Sequence, residues 1–258
     1  MNLNIIALPR SGHSAIMFWL LNQIDPVYMG DVGQLHDKKL GYSWQQTDNS
    51  IVICPHHKRY KLRLTHRNLL DTYLHLNKNA IFDWQAIDFL HPNLTEKSII
   101  VLRDWYNNLA SLIKHTPNIH ENTIQQYYNI WEEQAKFIYK YKPIHIIYNK
   151  WINSQKYRKK ITQLLGLPFN DYGFYRVPHN GSGSSFDGTS YDFAAHKMQT
   201  TSRWKHLEES HKKFITKRSI DLSRLLCGVY AQGSFYKYNP ILYRFFKFVE
   251  KTVRFGYI

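Results

Sequence analysis

The stretch NLNIIALPRSGHSAIMFWLL, residues 2–21, says most about how this chain folds. Its first part, Leu3–Leu8, is a short continuous apolar run and predicts a buried strand. Ser14–Ile24 is apolar almost all round, which predicts a helix packed against a sheet. The turn PRSGHS, residues 9–14, joins the two. A strand that runs into a helix start offers unpaired N–H groups and the positive end of the helix dipole, so the turn is a candidate anion site.

The side chains of this turn suit an anion as well. Gly12 permits close approach of the backbone to a ligand, and Ser11 and Ser14 offer hydroxyl groups. Arg10 supplies a planar fork that matches phosphate or sulfate oxygens. A plain strand-to-helix connection is the alternative interpretation.

A second unit of the same kind is SIIVLRDWYNNLASLI, residues 98–113. Ser98–Leu102 predicts another buried strand, followed by a polar turn and a helix. Arg103 ends the strand, where open α/β sheets bind ligands, and Ser111 follows eight positions later. Asp104 is expected either to pair with Arg103 or to cap the helix. Two such turns, each with an arginine, a serine and freed N–H groups, predict a ligand with phosphate-like groups at both ends; a surface arginine and an unrelated helix serine are the alternative.

The rest of the chain continues the alternation of strands and helices. Further apolar runs predict strands at Ser50–Cys54 and Pro143–Tyr148, and helical periodicity predicts helices at Thr123–Tyr141, with Thr123 or Asn122 as its cap, and at Ser154–Leu165. This pattern predicts an α/β fold, a three-layer α/β/α sandwich with a mainly parallel central sheet.

Two segments depart from that pattern, although we expect a single domain over residues 1–258. Residues 177–201 are rich in Gly and Ser and predict a long loop, either a lid or a linker. The C-terminal segment 236–258 is basic and aromatic. It predicts an amphipathic helix packed on the body, with a membrane-surface patch as the alternative.

The net charge and the cysteine content limit the classes of partner and of site that we expect. Lys and Arg number 34 against 19 Asp and Glu, a net charge of +15, which favours anionic partners such as nucleotides, acidic glycans, nucleic acid or a lipid surface. Two cysteines are too few for a disulfide framework, and no Cys/His spacing is typical of zinc. Without a signal peptide or an apolar run of membrane-spanning length, the expected location is cytoplasmic, which leaves peripheral membrane contact open.

Four segments resemble sulfotransferases that use 3′-phosphoadenosine 5′-phosphosulfate (PAPS), and they occur in that family's order. PRSGHS resembles the family's 5′-phosphosulfate loop, and RDWYNNLAS resembles its 3′-phosphate motif, an Arg followed eight positions later by Ser. HIIYNKWINSQKYRKKITQLLGLPF and TTSRWKHL are similar to two later family segments. The resemblance implies a P-loop NTPase-like architecture. It also implies in-line, metal-independent transfer of a sulfuryl group from PAPS to a hydroxyl, with a carbohydrate or glycolipid as the expected acceptor.

The resemblance also implies site residues, with some departures. Ala15 stands where many members stack a Trp on adenine, and Asn149 and Lys150 replace a Glu-Asp pair, so the chain looks like a divergent member. The implied roles are Arg10, Ser11, Gly12, His13 and Ser14 at the 5′-phosphosulfate, Arg103 and Ser111 at the 3′-phosphate, Tyr148 near the adenine, and Lys197 or Arg203 in the closing loop.

The catalytic base is predicted from the end of the strand SIVIC. PHHKRY follows that strand, and family members commonly use a His at this place in the fold. A His titrates near neutral pH and can accept the acceptor hydroxyl's proton. His57 is the first choice, His56 the second and His66 a rival, and a carboxylate stays open as the base; a solvated basic loop is the alternative role for the segment. Arg10, or nearby Lys58, is the candidate that stabilises the leaving phosphate.

A different class of function also fits the charge. Interleaved basic and aromatic residues suit a non-catalytic protein that binds nucleotide or single-stranded nucleic acid on the same scaffold. Basic residues clustered at the two turns would favour a small nucleotide, and a stripe along one face would favour a polyanion. A P-loop kinase is disfavoured because the Lys–Ser/Thr pair of its phosphate loop is missing.

Overall fold

A computed structural model describes residues 2–24, 36–37, 41–46, 50–54, 79–85, 98–177 and 183–228. The chain divides after Gly228, and the described residues all lie in the first part. The predicted C-terminal segment 236–258 lies outside them, so a single domain over the whole chain stays a prediction. None of the helices in the described part is both long and apolar enough to cross a membrane.

Seven strands in the described part of the chain form one sheet. They are β1 (Asn2–Ala7), β2 (His36–Asp37), β3 (Gly41–Gln46), β4 (Ser50–Cys54), β5 (Asn79–Gln85), β6 (Ser98–Leu102) and β7 (His145–Ile147). Their order across the sheet is β2-β3-β4-β5-β1-β6-β7. Along the row β4-β5-β1-β6-β7 each strand is parallel to the next, whereas at the other end of the sheet β3 pairs in antiparallel fashion with both β2 and β4. The prediction of an α/β fold with a mainly parallel sheet is confirmed.

In the described residues, helices follow β1, β6 and β7. The described α-helices are α1 (His13–Ile24), α2 (Trp105–His115), α3 (Glu121–Tyr141), α4 (Tyr148–Asn153), α5 (Gln155–Leu164), α6 (Glu209–Lys212) and α7 (Lys217–Cys227). Short 3₁₀ turns lie at Tyr172–Tyr175, Ala195–Lys197 and Arg203–His206.

Both faces of the central strands are buried, as the continuous apolar runs predict. On β6, Ile99 and Val101 pack in one hydrophobic cluster with α1, while Ile100 and Leu102 point to the opposite face and are equally buried. Alternate residues of a strand face opposite sides of its sheet, so helices are needed on both sides. The three-layer arrangement follows from this burial.

Several predicted boundaries need correction. Tyr148 begins α4 and does not end β7, so its ring is presented from a helix. Helix α3 begins at Glu121, two residues before the predicted start, and its N-cap is His120, whose side chain makes no capping bond. The predicted caps Thr123 and Asn122 are therefore wrong. By contrast, β6 has the predicted bounds, and Ser154 caps α5 by accepting a hydrogen bond from the Tyr157 N–H at 3.1 Å.

Candidate active site

The two predicted turns meet because their strands are neighbours. β1 and β6 pair in parallel, with Ile5 opposite Ile99 and Ala7 opposite Val101, so both strands end at the same edge of the sheet. At that edge Nη1 of Arg103 donates a hydrogen bond to the backbone carbonyl of Arg10 over 3.2 Å. The sequence expectation that the two turns serve one ligand thus has the geometry it needs.

The first turn is closed tightly against a ring from α4. Gly12 has a φ of +86°, and a Cβ atom built on it would stand 2.2 Å from Cε2 of Tyr148. Arg10 also has a positive φ, 65°. A non-glycine residue in that region costs about 1–3 kcal/mol and persists only where the surroundings enforce it. Here the hydrogen bond from Arg103 to the Arg10 carbonyl is one such restraint.

In the second turn Arg103 is fully buried and bonded on several sides. Its Nη1 donates to Ser111 Oγ at 3.0 Å, which joins the two residues that the sequence pairs at eight positions apart. Its Nη2 donates to the carbonyl of Thr200, and its own carbonyl accepts from Trp131 Nε1 at 2.8 Å. Nε of Arg103 has no hydrogen-bond partner. A guanidinium held in this way presents its donors in a fixed fork, which matches the oxygens of an anion.

Asp104 caps α2 and does not form an ion pair with Arg103. Its carboxylate accepts from the Asn107 N–H at 2.9 Å and from Asn149 Nδ2 at 2.6 Å, and its own N–H donates to Asn149 Oδ1 at 3.1 Å. The Trp105 N–H donates to Ser223 Oγ. The freed N–H groups expected at this second turn are therefore largely satisfied, and this part of the expectation is wrong: the turn offers side chains to a ligand.

These bonds also explain a departure from the family pattern. Asn149 both donates to and accepts from Asp104, at a position where the resemblance has Glu. A carboxylate there would face the buried Asp104 carboxylate, whereas an amide satisfies it.

Arg203 belongs to this cluster, and Lys197 does not. Nη1 of Arg203 lies 3.4 Å from Ser111 Oγ, and Nη2 donates to Ser184 Oγ at 2.6 Å and to Asp187 Oδ2 at 2.9 Å. Lys197 is exposed in its 3₁₀ turn and is not among the residues that line the cleft. Of the two candidates for the closing loop, the geometry brings only Arg203 to Ser111.

Three guanidinium groups therefore gather at this edge of the sheet. Burial and repulsion by Arg203 lower the pKa of Arg10. The pKa of Arg103 is lowered to about 10, chiefly by burial; repulsion by Arg203 and Arg10 contributes to this lowering, and Tyr148 and Asp104 oppose it. Among the described residues, no carboxylate lies within ion-pair distance of Arg10 or Arg103. Like charges this close and this buried are stabilised by a bound anion.

A cleft opens beside the cluster. Its empty space, with the open solvent at its mouth included, is about 740 Å³. The predicted residues Arg10, Gly12, His13, Ser14, Arg103, Ser111, Tyr148 and Arg203 line it. Ser11 is buried beneath the turn, and its hydroxyl has no hydrogen-bond partner.

No sequence pattern indicates the other residues that line the cleft, which include Trp151, Ile152, Phe174, Arg176, Val177, Ser184 and Thr200. They come from α4 and from the chain after α5, where only tertiary contacts reveal their role. The Gly/Ser composition predicts a loop over 177–201 but does not indicate which of its residues line the cleft.

The candidate bases His57, His56 and His66 lie outside the described residues, as does Lys58. Strand β4, which precedes PHHKRY, ends at Cys54 and runs parallel to β5, which runs parallel to β1. The chain therefore leaves β4 at the same edge of the sheet as the two turns. In the described part of the chain no three His, Cys, Asp or Glu side chains cluster in a way that could hold a metal ion.

The chain matches no protein-family model and no curated protein. Among the solved structures that match is the sulfotransferase domain from the curacin biosynthetic pathway, with 12% identity and a TM-score of 0.40, over 87% of this chain and 97% of that one. Values this low bear on neither family nor activity. Membership of the sulfotransferase family stays a hypothesis.

Proposed function

We propose that this protein is a sulfotransferase that transfers the sulfuryl group of PAPS to a hydroxyl acceptor, a carbohydrate or glycolipid. The observation that supports this most is the convergence of Arg103 and Arg203 on Ser111, one strand away from the turn that carries Arg10. The 3′-phosphate would bind at Ser111 and its two arginines. The 5′-phosphosulfate would bind at residues 10–14, where the buried Ser11 hydroxyl lacks a partner.

The proposed reaction needs little beyond positioning and charge. The acceptor oxygen attacks sulfur in line as the bond between sulfur and the 5′-phosphate oxygen breaks, and the acceptor proton passes to a base, for which His57 and His56 are the candidates. Arg10 stabilises the negative charge that develops on the leaving oxygen. The products are the sulfate ester and adenosine 3′,5′-bisphosphate.

The distribution of charge favours a small nucleotide over a polyanion. The arginines of the described residues that meet at the sheet edge surround a cleft and share one serine, which suits a compact ligand with separated anionic groups. A nucleic-acid surface would instead need a stripe of basic groups that follows a backbone.

Binding of adenosine 3′,5′-bisphosphate, measured by calorimetry, tests the donor site. Arg103→Ala should weaken it at least about tenfold, because a hydrogen bond to a charged group is lost. Lys160→Ala, which removes an exposed charge from α5, is the matched control and should bind as the wild type does. Transfer of label from ³⁵S-PAPS to panels of glycans, glycolipids and phenols tests the activity and the acceptor. Absence of both nucleotide binding and transfer in the wild type would overturn the proposal.

A further inference from the structure

Phe193 combines a strained backbone with an exposed ring. Its φ is +63°, in the left-handed region that glycine adopts freely, and the residue is 63% exposed. A bulky residue in this region is an outlier, and backbone strain of this kind is concentrated at binding and active sites. Arg10, which has a similar φ, belongs to the candidate active site. The ring at position 193 contributes nothing to the core, so its role lies at the surface.

The ring of Phe193 lies against Arg176, a residue that lines the cleft. Cζ of Arg176 is 4.0 Å from the centroid of the Phe193 ring and 5.9 Å from that of the Tyr172 ring, and Tyr172 is 46% exposed. Two further exposed aromatic residues, Tyr175 and Tyr191, belong to the same two segments of the chain. We call Tyr172, Arg176 and Phe193 the aromatic patch. Through Arg176 this patch is continuous with the wall of the cleft.

Asp192 holds the aromatic patch together. Its carboxylate accepts hydrogen bonds from Arg176 Nε at 2.8 Å and Nη2 at 3.1 Å. It also accepts from the backbone N–H groups of Val177 at 2.9 Å and Phe193 at 3.0 Å. One carboxylate thus joins the segment that carries Tyr172 to the segment that carries Phe193. The patch is formed before a ligand arrives, which reduces the entropy lost on binding.

The charges of the patch select a neutral ligand. Arg176 and Asp192 form an ion pair, so the carboxylate repels an anionic ligand and the guanidinium repels a cationic one. Nη1 of Arg176 makes one long bond, to Tyr172 Oη at 3.5 Å, and can donate its other N–H to a ligand. The matching ligand has an apolar face for the rings and an oxygen for the guanidinium. A sugar ring is built in this way, with C–H bonds on its faces and hydroxyl groups around its edge.

We propose that the aromatic patch binds a neutral sugar ring of the acceptor glycan, with the ring of Phe193 against the face of the sugar and Arg176 bonded to its hydroxyl groups. This inference rests on the proposed function for the class of its ligand. The residues of the patch are not those of the anion cluster where the donor would bind. The acceptor that fits both is therefore a chain of sugars and not a single one.

The test is the binding of neutral hexasaccharides to the full chain without nucleotide, measured by calorimetry. The probes are cellohexaose, mannohexaose, N-acetylchitohexaose and lacto-N-neohexaose. At least one of them should bind the wild type, and Phe193→Gly should weaken that binding about five- to tenfold, because the contact with one face of an aromatic ring is lost. Glycine also relieves the strain at this φ, so Phe193→Gly should unfold at a higher urea concentration than Phe193→Ala. Loss of binding in the glycine variant then reports the ring and not the fold.

Tyr139→Ala is the matched control, since it removes an equally exposed ring from α3, and it should bind the hexasaccharide as the wild type does. If none of the four probes binds the wild type, the inference is overturned, and this result needs no variant to fold. Binding that persists in Phe193→Gly also overturns it.

Two further measurements separate the remaining outcomes. Sedimentation of the wild type as a dimer that Phe193→Gly dissociates would assign the patch to a second copy of this chain and overturn the inference. Adenosine 3′,5′-bisphosphate is titrated separately. If a hexasaccharide binds at Phe193 and the bisphosphate does not bind, the proposed function fails while the sugar site stands; the reverse result overturns the inference alone.

Discussion

Gly12 lies directly against the ring of Tyr148, at a distance that leaves no room for a methyl group: a Cβ at position 12 would be 2.2 Å from Cε2. Gly12→Ala should therefore displace Tyr148 and destabilise the fold by about 1–3 kcal/mol through overpacking, in addition to the strain of its positive φ. Urea denaturation measures the change, and nucleotide binding should weaken with it.

Gly166→Ala is the control for that prediction. Gly166 also has a positive φ, +66°, but a Cβ there meets nothing within 4 Å. Its substitution should show the backbone strain alone, about 1–2 kcal/mol, with nucleotide binding unchanged. Equal effects of the two substitutions on binding would contradict the assigned role of the contact with Tyr148.

Ser111→Ala should weaken the binding of adenosine 3′,5′-bisphosphate about two- to tenfold, because the hydroxyl is the group that Arg103 and Arg203 share. Adenosine 5′-monophosphate is the control ligand, since it lacks the phosphate expected at Ser111. Calorimetry with both ligands on wild type and variant measures the difference. An equal loss for both would place the 3′-phosphate elsewhere.

Asp187→Asn should strengthen anion binding. Asp187 Oδ2 lies 2.9 Å from Nη2 of Arg203 and so offsets part of the positive charge near Ser111. Removing that carboxylate's charge should raise the affinity for adenosine 3′,5′-bisphosphate about two- to fivefold, the size of a partly exposed ion pair. Glu209→Gln, at an exposed residue of α6, should change nothing. Weaker binding in Asp187→Asn would show instead that Asp187 chiefly orients Arg203.

Stability should depend on pH through Asp104. Burial raises the pKa of this carboxyl above its ordinary value, against the opposing effects of Arg103, Asn107 and Asn149. A carboxyl group whose pKa is higher in the folded state than in the unfolded state contributes its full share of stability below the pKa of the unfolded state, about 4. That contribution to the free energy of unfolding is lost as the pH rises through the pKa of the folded state. The free energy of unfolding of the wild type should therefore fall relative to Asp104→Asn as pH rises from about 4 to about 7.

Parallel urea titrations of the two proteins across that pH range measure the effect. Glu208→Gln, an exposed acidic control, should run parallel to the wild type. A difference between wild type and Asp104→Asn that is constant with pH, or that slopes the other way, would refute the effect of burial.

The sequence predicts those parts of the fold that have a clear local pattern, such as a run of apolar residues or a turn rich in Gly and Ser. The run 98–102 is apolar apart from Ser98 and forms β6 with the predicted bounds, and Gly and Ser in PRSGHS mark the turn after β1. Strands β3 and β5, GYSWQQ and NAIFDWQ, mix polar and apolar residues without such a run, and they were not predicted. Their place is set by pairing with β4 and β1, which no local pattern encodes.

The residues of the candidate site likewise fall into those that the sequence predicts and those that only the tertiary structure shows. Arg103 and Ser111 were paired by spacing, because eight positions bring the end of a strand near the second turn of the helix after it. The choice between Lys197 and Arg203 depends on how the segment after α5 folds back, and charge alone does not decide it. Trp151 reads in the sequence as an ordinary core residue, and its unmet N–H is visible only once its neighbours are known.

The reciprocal bonds between Asp104 and Asn149 have a consequence for descent. The two side chains are buried and each is the other's hydrogen-bond partner, so a substitution at one position affects the other. A second carboxylate at 149 could be accommodated beside Asp104 if one of the two carboxyl groups kept its proton, because two buried like charges repel each other. In homologues the two positions should consequently covary.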